Sequence, residues 1–190
     1  QKDLKGSAIV SFLNQRLPSA PTVIADLSRV IDPNGFPKVF IGNEPAPANS
    51  NTPLPDLGTL SAAVHKDQAS VVKIAGDGCG GIVEGSGFVI KPGLVATNAH
   101  VIAGVNRPEV YDQNGEHSAT IIWFDPNLDF AVLKVNNLAG APLAVNTAIS
   151  TNNTPGAVLG YPGGGDFTAK PAVVLDEFTA TGRNIYGQGD

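Results

Sequence analysis

The chain has 190 residues and a formal net charge of −5, with its 12 Lys and Arg residues scattered along the sequence. A chain of this length can bury a substantial core, and its acidity leaves no basic surface for nucleic acid or phosphate groups. Its 22 Gly and 15 Pro, beside 15% charged residues, favour a turn-rich, soluble and mostly β protein.

The first part of the chain predicts a helical segment followed by a connector. Residues 8–31 carry apolar side chains at helical spacing, and Pro21 stands where a helix can begin. The stretch EPAPANSNTPLPD, residues 44–56, then concentrates Pro among small polar residues, which is typical of an extended linker. We therefore assign residues 1–56 to an amphipathic helical segment and a Pro-rich linker.

From residue 68 onwards the pattern changes to short β-rich runs separated by Gly, Pro, Asn and Asp. The runs are SVVKI, GIVEGSGFVI, LVATNAHVI, EVYD, ATIIWF and DFAVLKV. Short strands at such close spacing predict a β-barrel, which we place at residues 57–140. A polar linker around NTAISTNNTPG and two further strands, in AVLGYP and FTAKPAVVLDEFTATG, are predicted within residues 141–190.

The chain has three histidines, and one of them stands in an unusual position. His65 lies in a charged stretch and His117 in the polar turn QNGEHS, so both are expected at the surface. His100 closes a strand in TNAHVI and opens an apolar run, which would place its ring at the edge of the barrel. From the residues alone, packing and proton transfer explain His100 equally well.

Asp129 directly precedes the apolar alternation of PNLDFAVLKV. A carboxylate at the mouth of a buried strand requires a hydrogen-bond donor, and an imidazole N–H could serve. The alternative is that Asp129 caps a turn formed by Pro126 and Asn127.

Two glycine-rich motifs flank these residues. In EGSGFVI, Gly85 and Gly87 surround Ser86, where they would let the backbone bulge or approach a neighbour closely. In LGYPGGGDFTA, Gly163–Gly165 lack the Lys and the Ser or Thr of a phosphate-binding loop and miss the dinucleotide-binding spacing. We predict a β-hairpin turn there.

In this order, GSGF, TNAHV and DFAVLKV resemble the motifs of trypsin-like serine proteases, including the HtrA branch. Together with GYPGGG and IYG they look closest to the MarP-like, membrane-anchored acid-resistance proteases of actinobacteria. The resemblance covers most of residues 60–190. It implies an all-β fold, a trypsin-like double β-barrel with the second barrel incomplete. It also implies that His100 is a general base and Asp129 its orienting carboxylate.

The same resemblance leaves the nucleophile unassigned. Trypsin-like proteases carry it in a GDSGG segment well after the Asp, whereas the serine that follows Asp129 here is Ser150, in the predicted linker. Ser86 lies in the segment that precedes the histidine in that family. We therefore expect a fragment that is inactive alone, with its serine, oxyanion hole and specificity pocket in a missing C-terminal segment of the same protease.

Two other interpretations stay open. One is a catalytically inactive trypsin-like domain that serves as a binding module. The other is a metal site at His100 and Asp129, which lacks a third ligand at suitable spacing. We expect no cofactor, no metal and no nucleic acid, and a peptide or protein as substrate.

The remaining expectations also follow from the resemblance. It implies a periplasmic or extracytoplasmic location, a membrane anchor upstream of this chain, and a role in acid or stress resistance. It further implies that Cys79, the single cysteine, forms a disulfide with the missing segment in an oxidising compartment. The alternative is that Cys79 is a small buried thiol between glycines.

Overall fold

A computed structural model describes residues 53–78, 81–148, 150–175, 182 and 184–188. The helical segment predicted over residues 8–31, most of the Pro-rich connector and Cys79 lie outside these described residues. Helix α1 (Leu57–Asp67) is capped by Asp56, whose side chain accepts a hydrogen bond from Gly58 N. A short 3₁₀ turn, Gln68–Ser70, leads from this helix into the first strand.

Six antiparallel strands form a closed barrel in the order β1-β2-β3-β6-β5-β4. Their bounds are β1 Val71–Gly78, β2 Gly81–Lys91, β3 Leu94–Thr97, β4 Glu109–Asp112, β5 Gly115–Asp125 and β6 Phe130–Val135. All six coincide with the β-rich runs of the sequence. One local prediction is wrong: β3 ends at Thr97, and His100 lies on the short helix α2 (Ala99–Ile102) instead of closing the strand.

The barrel closes because alternate side chains of its strands are small and apolar and meet at the centre. The largest fully buried side chains are Ile74, Ile102, Leu133, Val72, Val89, Val95, Val110 and Val135. Gly87 lies where a Cβ atom would come within 2.8 Å of Ala96 O, and a Cβ on Gly85 would come within 2.6 Å of Val101. The predicted close approach at these two glycines is therefore confirmed.

A second sheet follows the barrel and consists, within the described residues, of the antiparallel strands β7 (Pro155–Gly160) and β8 (Thr168–Val173). The GYPGGG motif connects them through a 3₁₀ turn, Pro162–Gly164, which confirms the predicted hairpin connection. The closed barrel and the second sheet confirm the predicted all-β class. Within the described ranges, no helix has the length and apolar character needed to cross a membrane.

Candidate active site

The structure brings His100 and Asp129 into direct contact. His100 Nδ1 lies 2.7 Å from Asp129 Oδ2, and the backbone N of His100 donates to Asp129 Oδ1 at 2.9 Å. The two side chains are 13% and 3% exposed. A carboxylate held this way keeps the proton on Nδ1 and leaves Nε2 as the ring nitrogen that can accept one.

Strand pairing explains why these two residues meet. Strand β3 pairs with β6 in a register that places Thr97 opposite Ala131, so the residues after β3 lie beside those that precede β6. Buried Val101 and Ile102 anchor α2 in the core, which fixes the direction of the imidazole.

Asn98 is a third member of this site that the sequence did not reveal. Its Nδ2 donates to both the backbone O and Oδ2 of Asp129, each at 3.1 Å. Asp129 has a φ of 48°, a left-handed backbone conformation that costs energy in a non-glycine residue. The amide of Asn98 thus supports the carboxylate and the backbone that carries it.

The turn before Asp129 has its own cap. Asp125 Oδ1 accepts hydrogen bonds from the backbone N of Asn127 at 2.9 Å and of Leu128 at 3.0 Å. The role considered for Asp129 in the sequence, capping this turn, is therefore performed by Asp125. The side chain of Asp129 instead contacts His100 and Asn98.

The IYG stretch lies against the same turn. Ile185 N donates to the backbone O of Pro126 at 3.1 Å, and Ile185 packs against the barrel core. Tyr186 Oη is buried, and burial raises the pKa of Tyr186 to about 12, so the phenol stays neutral over the physiological range.

Neither serine considered in the sequence meets the imidazole. Ser86 Oγ accepts a hydrogen bond from Tyr161 N at 2.8 Å, which engages the hydroxyl with the second sheet. Ser150 is exposed in the linker before β7. Among the described residues, no group of three or more His, Cys, Asp or Glu gathers where a metal ion could bind.

His117 is not the surface residue that the sequence suggested, although His65 is exposed as expected. His117 Nε2 lies 2.8 Å from Asp112 Oδ1, and the two side chains are only 12% and 1% exposed. The hairpin of β4 and β5 places His117 opposite Val110, diagonally across from Asp112 on the same face. The turn sequence alone does not show this pairing.

Asp112 also holds the first part of the connection to the second sheet. Its Oδ2 accepts from Ala139 N at 2.6 Å, and its Oδ1 accepts from Asn114 N at 2.7 Å. Burial opposes ionisation of this carboxyl, but the hydrogen bonds from Ala139, His117 and Asn114 outweigh it and hold the pKa of Asp112 below its ordinary value.

A groove of about 490 Å³ lies between the barrel and the second sheet, next to the His100 pair. Asn98, which contacts Asp129, and Phe130, which follows Asp129 along the chain, both reach its wall. The other lining residues are mostly small or apolar: Asp67, Val71, Ser86, Gly87, Phe88, Ala96, Thr97, Leu143, Ala157 and Leu159.

A family model for the trypsin-like peptidase domain matches residues 85–188, more than half of the chain. This chain belongs to the trypsin-like peptidases. The matched range contains His100, Asp129 and both glycine-rich motifs, so the site described above lies within the family's own domain.

Two curated relatives place this trypsin-like peptidase near the HtrA branch. It is 37% identical over 190 residues to the serine protease Rv3671c of Mycobacterium tuberculosis strain H37Rv, covering 97% of this chain and 47% of the relative. It is 34% identical over 93 residues to the human serine protease HTRA4, covering 44% of this chain and 20% of that protein. The chain thus spans about half the length of its mycobacterial relative.

A solved structure agrees with this assignment. The crystal structure of the active form of the Rv3671c protease superposes with a TM-score of 0.65 at 38% identity, covering 85% of this chain and 68% of that one. The peptidase therefore has the fold of a trypsin-like, HtrA-related serine protease domain.

Proposed function

We propose that this chain contributes the general base, His100, and its orienting carboxylate, Asp129, to a serine endopeptidase whose nucleophile lies outside residues 1–190. The 2.7 Å contact between His100 Nδ1 and Asp129 Oδ2 carries the proposal. It is the arrangement that nucleophilic catalysis by a hydroxyl requires, because a serine is a weak nucleophile until a base takes its proton.

The proposed mechanism follows from the two ring nitrogens. Nε2 accepts the serine proton as the oxygen attacks the peptide carbonyl, and the resulting imidazolium is stabilised by Asp129 without transfer of the Nδ1 proton. Nε2 then donates that proton to the leaving amine, which leaves an acyl-enzyme. In the second half of the reaction, a water molecule attacks the ester of the acyl-enzyme while Nε2 accepts a proton from the water. Nε2 then returns a proton to the serine oxygen as the carboxylic acid product leaves.

Three observations support a nucleophile outside this chain. Ser86 is engaged by Tyr161 N, Ser150 lies in an exposed linker, and no GDSGG segment occurs in the sequence. The chain also spans only 47% of its mycobacterial relative, which leaves ample length for such a segment.

We propose that the C-terminal part of the same protease is the partner of this chain. It would complete the second barrel along the groove beside Asn98, where Phe88 and Phe130 are 37% and 38% exposed. A disulfide from Cys79 would tether it. If this is correct, this chain and the C-terminal fragment of a cleaved preparation will migrate together on a gel without reductant and will separate after reduction. Separation of the two fragments without reductant would exclude the disulfide.

We further propose that the intact protease cleaves peptides or proteins outside the cytoplasm, anchored to the membrane upstream of residue 1, in resistance to acid or other stress. This proposal rests on the resemblance to the membrane-anchored acid-resistance proteases. Cell fractionation tests the location, and a protease found in the cytosol would contradict it. Survival after acid shock, compared between cells with the wild-type protease and cells with the His100→Ala variant, tests the role, and equal survival of the two strains would contradict it.

Hydrolysis of an internally quenched peptide by the parent protein tests the catalytic proposal. His100→Ala should lower kcat/KM by about 10⁶-fold, because the hydroxyl loses its base. The matched control is His65→Ala, since His65 is exposed on α1 and should be dispensable. The 190-residue chain alone should be inactive.

Two results would overturn the proposal. One is a parent protein that binds peptides but never hydrolyses them, which would identify the inactive binding module. The other is hydrolysis that survives His100→Ala unchanged.

A further inference from the structure

Three side chains of the first barrel hold the GYPGGG loop of the second sheet. Ser86 Oγ accepts from Tyr161 N at 2.8 Å, and Lys73 Nζ donates to the backbone O of Gly164 at 2.5 Å. Lys73 is itself paired with Glu84 Oε1 at 2.8 Å. We call Lys73, Glu84 and Ser86 the latch; they lie on β1 and β2 and connect two parts of the fold that are far apart in sequence.

The glycines of the loop fit the latch closely. A Cβ atom on Gly160 would lie 2.8 Å from Ser86 Oγ, and one on Gly164 would overlap the carboxylate of Glu84. Gly163 has nothing within 4 Å of its Cβ position. Gly163 and Gly164 both have left-handed φ values, 60° and 71°. Turn geometry therefore accounts for both glycines, and a Cβ atom on Gly164 would in addition force the carboxylate of Glu84 to move from its place beside Lys73.

Ser86 also connects the latch to the active site. Its backbone O accepts a hydrogen bond from Thr97 Oγ1 at 2.8 Å, and Thr97 is 6% exposed. The next residue, Asn98, donates twice to Asp129, which holds His100. A continuous series of short contacts thus runs from Tyr161, in the loop that follows β7, to the imidazole.

We propose that Ser86, supported by Lys73 and Glu84, is a positioning residue that fixes the second sheet relative to His100. This inference rests on the proposed function, in which the remainder of the second barrel brings the nucleophilic serine to Nε2. A loosened loop would misplace the serine with respect to the base, and a displacement of about 1 Å can cost on the order of 100-fold in rate. The effect should fall on kcat, because the proposed role of the latch is to place the serine relative to His100 and not to bind the substrate.

A matched glycine pair tests the latch in the intact parent protease. Gly163→Ala and Gly164→Ala introduce the same left-handed strain, but only the second meets Glu84. We expect Gly164→Ala to lower kcat by about 10- to 100-fold with KM changed by less than about 3-fold. Gly163→Ala should lower kcat by less than about 3-fold. Adding Glu84→Ala to Gly164→Ala removes the obstructing carboxylate and should restore kcat to the level of Glu84→Ala alone.

A milder substitution gives a second, independent readout. Ser86→Ala leaves Tyr161 N without its acceptor, so amide hydrogen exchange at Tyr161 should accelerate and kcat should fall by about 10-fold. The control is Ser118→Ala, an exposed serine of β5. Exchange at Tyr161 does not depend on catalysis, so the contact can be measured even if the parent protein hydrolyses nothing and the proposed function fails.

The positioning role is overturned by either of two results in an active parent protease. In the first, Gly164→Ala and Gly163→Ala lower kcat equally and Glu84→Ala rescues neither. In the second, Ser86→Ala accelerates exchange at Tyr161 but leaves kcat unchanged, which would make the contact structural only.

Discussion

At the scale of single residues, Asp129 determines which nitrogen of His100 carries the proton. Asp129→Asn keeps the shape of the side chain but presents an N–H to Nδ1, which favours the tautomer with the proton on Nε2. Such a ring cannot accept a proton from a hydroxyl.

We therefore predict that Asp129→Asn lowers kcat of the parent protease by about 10⁴-fold, measured by steady-state peptide hydrolysis. Asp125→Asn, which alters only the neighbouring turn cap, is the matched control and should cost less than about 10-fold. Similar losses in both variants would mean that the turn, and not the carboxylate on His100, governs activity.

The sequence predicted two of the three residues in this site. His100 and Asp129 stand in motifs whose order resembles a known family, but Asn98 has no chemical signature of its own. Its amide reaches Asp129 only because β3 and β6 pair and because Asp129 adopts a φ of 48°. Neither the register of this strand pairing nor the left-handed backbone conformation of Asp129 can be predicted from the residue types alone.

At the scale of elements, the β4–β5 hairpin and the connection to the second sheet meet at Asp112. The lowered pKa of Asp112 means that its ionised form stabilises the fold. That stabilisation is complete above the ordinary Asp pKa of about 3.9 and is lost as the pH falls through the lowered value.

Asp112→Asn should therefore destabilise the protein by about 1–3 kcal/mol at pH 7, because Ala139 N, Asn114 N and His117 lose a charged acceptor. Urea unfolding at pH 7 and at pH 3 measures the difference in free energy of unfolding between the wild-type protein and the variant, and this difference should be smaller at pH 3. Asp77→Asn, at an exposed position of β1, is the control. A difference that stays constant or widens towards pH 3 would contradict this assignment.

The strands were easier to predict from sequence than the short helix and the hairpin register. Short β-rich runs bounded by Gly, Pro, Asn and Asp located all six barrel strands, since turn residues mark the strand ends clearly. Helix α2 has four residues, too few to show helical periodicity, so His100 was placed at a strand end. His117 was assigned to the surface because its partner, Asp112, becomes a neighbour only through the pairing of β4 with β5.

At the scale of the whole molecule, the closed barrel carries His100 and Asp129, and within the described residues the strands β7 and β8 flank it across the groove. The hydrogen bonds of the GYPGGG loop with Ser86 and Lys73 connect these two strands to the barrel. The strand spacing predicted this β architecture, but the groove depends on side chains from both parts and could not be inferred. The fold thus places His100 and Asp129 beside a groove of about 490 Å³.

Whether His100 activates a serine is tested by labelling the parent protease with a fluorophosphonate and mapping the modified residue by mass spectrometry. We predict modification of a single serine beyond Asp190, and labelling that His100→Ala slows by orders of magnitude while His65→Ala does not. Modification of Ser86 or Ser150, or equally rapid labelling of the His100→Ala variant, would contradict the claim that His100 activates a serine outside this chain.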